Sequence, residues 1–99
     1  MISRVKINGD YLETYGPDGK RIKRMHCKNV FLGNSSEIVV VQNDNYIEVY
    51  DADLKRISRS FLKTDRFLGA SGETFSIQNG NYAETYDSRG KRMSRNYSK

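Results

Sequence analysis

A frame of seventeen residues occurs three times in this chain, and it limits the possible folds more than any other feature. The copies are NGDYLETYGPDGKRIKR from Asn8 to Arg24, NDNYIEVYDADLKRISR from Asn43 to Arg59, and NGNYAETYDSRGKRMSR from Asn79 to Arg95. They share the pattern Asn-x-x-Tyr-x-Glu-x-Tyr-x-x-x-x-Lys-Arg-x-x-Arg. Tyr11, Tyr46 and Tyr82 are 35 and 36 residues apart, and Glu13, Glu48 and Glu84 keep step with them. The additional residue belongs to the connector Ser60–Arg66, as Phe31-Leu32-Gly33 and Phe67-Leu68-Gly69 are already 36 apart. Units that repeat at this period are supersecondary blocks that bury their apolar faces on one another. Length changes are tolerated in the connectors between such blocks.

Each copy reads as an antiparallel meander. A leading strand (Arg4–Asn8, Ile38–Asn43 or Thr74–Asn79) meets a two-residue loop: Gly9-Asp10, Asp44-Asn45 or Gly80-Asn81. Such pairs accept positive φ and predict a tight hairpin of type I′. The return strand is Tyr11–Tyr15, Tyr46–Tyr50 or Tyr82–Tyr86. A turn with Gly19, Leu54 or Gly90 at the left-handed position follows, and Leu54 is the poor fit. The closing strand is Arg21–Met25, Arg56–Phe61 or Arg92–Tyr97. Short additional strands at Val30–Gly33 and Arg66–Ala70 precede the second and third units. The expectation is an all-β chain of three tandem meander repeats, with nine to eleven strands and no helix. It forms one domain of 99 residues in units of about 1–28, 29–64 and 65–99.

A turn bulge at Gly19 and its equivalents would set Tyr50 against Arg56, Val49 against Ile57 and Glu48 against Ser58. One face then carries Tyr46, Glu48, Tyr50 and Arg56. The other carries Ile38, Val40, Ile47, Val49, Ile57 and Phe61 as core. The equivalent core positions are Val5, Ile7, Leu12, Thr14 and Ile22 in the first unit, and Ser76, Ala83, Thr85 and Met93 in the third. Because i and i+3 on a strand face opposite ways, Arg24, Arg59 and Arg95 fall on the core side.

Ile47-Glu48-Val49-Tyr50-Asp51 with Lys55-Arg56-Ile57 spans the third and fourth strands of the middle unit, and Asp87, Gly90 and Lys91 repeat part of it. A four-stranded meander with this stretch resembles a β-propeller blade of the NHL class, whose blades run I-x-V-[FY]-D-x-x-G-[KR] across the last turn. The resemblance implies propeller-blade-like meanders. Three units are too few for a ring of roughly four to eight blades. Two chains closing a six-bladed ring is therefore the first arrangement to consider, ahead of a pseudo-threefold trefoil or prism and an open single-layer meander. Apolar residues make up 36% of the chain, a modest supply for a lone core, so self-association as a homodimer is expected.

Seventeen Lys and Arg against twelve Asp and Glu give a net charge of +5, a bias toward anionic partners. The signs are interleaved, which places a protein or other polyanion ahead of nucleic acid. Cys27 is the single cysteine, so no disulfide forms within the chain and a reducing, cytoplasmic setting is expected. No membrane segment is expected either.

Nothing in the sequence has the pattern of an enzyme. Adjacent strand residues His26 and Cys27 point apart and cannot act as base and nucleophile. The turn aspartates Asp18, Asp51 and Asp87 suit backbone hydrogen bonds better than a cation. No cofactor or metal is expected. Candidate binding residues are Tyr11, Tyr15, Arg21, Tyr46, Tyr50, Arg56, Tyr82, Tyr86 and Arg92, which a repeat presents three times to one partner. The bland alternative is that each Arg merely satisfies its neighbouring Glu. The expected function is a non-enzymatic binding module for a protein or polyanion. A lectin-like carbohydrate binder and a nucleic-acid-binding β protein are the alternatives.

Overall fold

The structure, a computed structural model, describes residues 1–97. Its eleven strands form three antiparallel sheets in chain order. The first sheet is β1 (Arg4–Asn8), β2 (Tyr11–Tyr15) and β3 (Arg21–His26). The second is β4 (Val30–Asn34), β5 (Val39–Asn43), β6 (Tyr46–Tyr50) and β7 (Arg56–Phe61). The third is β8 (Arg66–Ser71), β9 (Thr74–Asn79), β10 (Tyr82–Asp87) and β11 (Arg92–Tyr97). The all-β class and the tandem meanders are as expected, and the three sheets do not close into a barrel.

The local chemistry explains the strands. β-branched and aromatic residues occupy the pleat, and glycine or aspartate takes the positive φ in every hairpin and bulge turn but one. Gly9, Asp44 and Gly80 have φ of 62°, 59° and 61°. Their loop partners Asp10, Asn45 and Asn81 do not, which is the type II′ pattern and not I′. Leu54 stands at φ 58° where the other copies have glycine. Left-handed backbone costs an ordinary residue about 1–2 kcal/mol. The Leu54 side chain offsets this by packing into the cluster between the first and second sheets.

One register differs from expectation and changes the faces. Tyr50 does pair with Arg56, but Val49 pairs with Ser58 and Glu48 with Arg59. Ile57 is thus the extra residue of a bulge inside the closing strand. The same break separates Thr14 from Tyr15 and Thr85 from Tyr86. A bulge returns the following residues to the opposite face. Arg24, Arg59 and Arg95 consequently lie on the tyrosine face, not the core side. Ile57 and Phe61 leave the core and are 39% and 67% exposed, and Met93 is likewise exposed. Ile7, at the end of β1, is exposed as well.

The sheets stack face on face with the second in the middle. Val40, Ile47 and Val49 of the second sheet, with Ile38 just before β5, meet Phe75, Ile77 and Tyr86 of the third. Val39 and Val41, on its opposite face, meet Ile2 and Leu12 of the first unit. Both faces of its central strands β5 and β6 are therefore covered, which explains why these strands are the most apolar, whereas β7 stays largely exposed. Neither a threefold wrap nor a single wet layer describes this arrangement. Cross-links between units add hydrogen bonds: Thr14 Oγ1 donates to the Ala52 carbonyl and Ser58 Oγ to that of Ser88. Gly33 lets the ring of Phe67 lie on the backbone of the neighbouring sheet, since a Cβ there would come within 2.6 Å of the ring.

Candidate functional site

The three-fold frame builds one side-chain constellation three times. In each copy the return strand places Tyr, Glu and Tyr on one face, and the closing strand places two arginines beside them. The second tyrosine donates its hydroxyl to the glutamate: Tyr15 to Glu13 at 2.8 Å, Tyr50 to Glu48 at 2.7 Å and Tyr86 to Glu84 at 2.8 Å. The other carboxylate oxygen faces both arginines. Arg21 and Arg24 lie 3.3 and 3.4 Å from Glu13, Arg56 and Arg59 3.9 and 3.3 Å from Glu48, and Arg92 and Arg95 3.4 and 3.1 Å from Glu84. Asn43 donates a further bond to Glu48.

The second arginine also covers the first tyrosine. Its guanidinium carbon sits 3.8 Å from the Tyr11 ring centre, 4.0 Å from Tyr46 and 3.8 Å from Tyr82. An aromatic side chain two positions further on, His26, Phe61 or Tyr97, meets the same ring edge-on. All nine predicted candidates thus gather around the three glutamates. Sequence reasoning missed the second arginine's side and the closing aromatic. The signal for the latter was available: Arg24, Arg59 and Arg95 are each followed at i+2 by a ring.

These groups are held, not poised. Each glutamate is buried and hydrogen-bonded within its own hairpin. The Tyr15 hydroxyl, with help from Arg21 and Arg24, holds the Glu13 carboxyl below the usual carboxylate range against the opposing effect of burial. The reciprocal bond raises Tyr15. Burial, then the bond to its glutamate, pushes Tyr50 and Tyr86 up to about 12.

What differs is the surroundings. Tyr50 packs into the cluster beneath the first sheet, and Tyr86 stacks on Phe75 in the cluster beneath the second. Both copies face the preceding sheet. The first copy has no preceding sheet among the described residues, and its face is open. Register places Arg4 opposite Tyr15, Lys6 opposite Glu13 and Asn8 opposite Tyr11. The equivalent positions are Val39 and Val41 in the second sheet and Phe75 and Ile77 in the third. Core residues in two copies are thus cations in the first.

The open face is a grid of three rows. Arg4, Tyr15 and Arg21 form one row; Lys6, Glu13 and Arg24 the next; Asn8, Tyr11 and His26 the last. Arg4 leans over the Tyr15 ring at 4.9 Å. Four permanent cations surround one buried carboxylate, with a tyrosine on either side of it. The opposite end of the stack, the outward face of the third sheet, carries Thr74, Ser76, Ala83 and Thr85 instead. A shallow cavity of about 400 Å³ there is lined by Leu68, Gly69 and Ser76 among others, with no charged residue. Among the described residues no cluster of His, Cys, Asp and Glu could hold a metal ion, and no helix is long and apolar enough to cross a membrane.

No known family model matches the chain, and no significant match was found among curated proteins.

Proposed function

We propose that the protein is a non-enzymatic binding module for a polyanionic partner and that the open face of the first sheet is its binding surface. One observation carries this reading: Arg4 and Lys6 replace the apolar pairs Val39/Val41 and Phe75/Ile77 on the one copy of the constellation that no other sheet covers among the described residues. A face that needed only to be wet could carry any polar residues, whereas this one gathers Arg4, Lys6, Arg21 and Arg24 around one neutralised glutamate. Clustered cations raise the local concentration of an anionic polymer and speed its association.

Retention on immobilised heparin under a salt gradient tests this. Arg4→Glu with Lys6→Glu should elute at markedly lower salt than the wild type. Lys63→Glu with Lys91→Glu, the same charge change made elsewhere, should elute later than that variant. Equal elution of the two double variants would remove the first sheet from the reading.

The two ends of the stack differ in what they offer a second copy. Terminal units of a stack stay soluble by presenting polar outer faces; the first sheet does so, whereas the third exposes Leu68 and Met93. The homodimer expected from composition therefore stays part of this reading, and light scattering should give a mass near twice 11.4 kDa. A mass of 11.4 kDa would remove it.

A further inference from the structure

Resting on that reading, we infer that the polyanion is single-stranded nucleic acid, laid across the first sheet with bases on the stacked pairs Arg24–Tyr11 and Arg4–Tyr15. The grid has an order that charge alone does not require. The central strand β2 offers ring, carboxylate, ring. The flanking strands offer Arg4 and Lys6 on one side and Arg21 and Arg24 on the other. An aromatic column between two cationic columns matches a strand whose bases stack while its phosphates run alongside. Single-strand binders combine these two elements, a positive track and successive aromatic platforms.

Glu13 is a positioning residue in this arrangement. One oxygen takes the Tyr15 hydroxyl, and the other takes Nη1 of Arg21 and Nε of Arg24. That leaves the remaining guanidinium N–H groups of both arginines for phosphate oxygens, and the side chains stay 49% and 40% exposed. Arginine over a ring is also a stacking surface in its own right. Asn8 and His26 flank Tyr11, where base edges would lie. A sulfated glycan or an acidic peptide would use the cations but has no flat π-face for the rings.

Fluorescence anisotropy with a labelled oligothymidylate of twelve nucleotides, alongside a heparin dodecasaccharide and a poly-glutamate peptide, tests the assignment. The oligonucleotide should bind with log K falling against log salt at a slope of roughly −2 to −3, as three to four neutralised phosphates of a single strand imply. Tyr15→Leu should weaken oligonucleotide binding by roughly five-fold or more while leaving heparin affinity unchanged. Tyr15→Phe should restore the oligonucleotide, because the ring returns without the hydroxyl. Lys6→Glu should lower both affinities and flatten the slope, and Lys63→Glu should leave the slope as it is. Circular dichroism of each variant controls for folding.

Heparin or peptide binding that equals the oligonucleotide's, or indifference to Tyr15→Leu, would overturn the nucleic-acid assignment and leave the polyanion reading intact. Failure of all three probes to bind would overturn both.

Discussion

The outward face of the first sheet and the corresponding face of the middle sheet are built from the same Tyr-Glu-Tyr-Arg-Arg set, yet the leading strand of one lies open and that of the other is covered by a neighbouring sheet. The closing hairpin does not cause the difference, since its hydrogen bonds repeat to within a few tenths of an ångström for the tyrosine–glutamate contact. The cause lies on the leading strand. Val39 and Val41 add enough apolar surface to hold a neighbouring sheet, and Arg4 and Lys6 do not. Burial of one such side chain stabilises by roughly 1.5–3 kcal/mol, so two positions can decide whether a face is covered. The cluster itself does not decide the matter. Its carboxylate is satisfied in both copies, and its two arginines, one charge in excess, keep reaching water in both.

The sharpest way to break the comparison is to exchange the deciding residues. Val41→Lys puts a cation where the side chain is fully buried. It should destabilise by about 4 kcal/mol or more and leave the chain largely unfolded in urea titration. Lys6→Val, the reverse exchange on the open face, should stay within about 0.5 kcal/mol of the wild type. Equal effects would show that the two faces are not distinguished by their leading strands.

Next in size is the glutamate itself. Glu48→Gln leaves Tyr50, Arg56 and Arg59 without a carboxylate between two sheets, and should cost about 2 kcal/mol in thermal or urea denaturation. Glu13→Gln should cost less than Glu48→Gln, since Glu48 also takes a bond from Asn43 and its tyrosine packs against a neighbouring sheet. Gly33→Ala is expected to follow at about 1–3 kcal/mol, because the new methyl meets the Phe67 ring and packed rings yield little. Measured stability at or above wild type would mean that the two sheets can slide apart without loss.

The smallest effect is a titration. Tyr50 and Tyr86, held near 12, should ionise last when tyrosinate absorbance is followed. A tyrosine whose pKa is raised by folding stabilises fully below its ordinary value of 10. That contribution is lost as pH climbs from about 10 to about 12. The covered sheets should therefore loosen over this window, and loosening below pH 10 would contradict it. Glu13 works in the opposite sense: its lowered pKa contributes stability above about 4.5 that disappears as acid protonates it.

Much of this was legible in the chain. The hairpin loops, the return strands and the gathering of Tyr, Glu and Arg follow from residue spacing and turn chemistry. The side taken by Arg24, Arg59 and Arg95 did not follow, because the bulge one residue into each closing strand leaves no glycine as a marker. Ile22, Ile57 and Met93 occupy it, and they read as core by type alone. The role of Arg4 and Lys6 was hidden for another reason. Alternation on a five-residue strand shows which residues share a side, but not whether a neighbouring sheet will cover that side.

The Gly33 notch has a consequence for how such a chain could lengthen. A joint in which one ring drops onto a bare stretch of backbone can be copied without redesign, provided each new segment brings both halves. Gly69 already stands where a following segment's phenylalanine would land, and nothing lies within 4 Å of its missing methyl. Duplicating residues 29–64 in tandem should therefore yield a longer rod of the same cross-section, with the outer two segments acting as its stoppers.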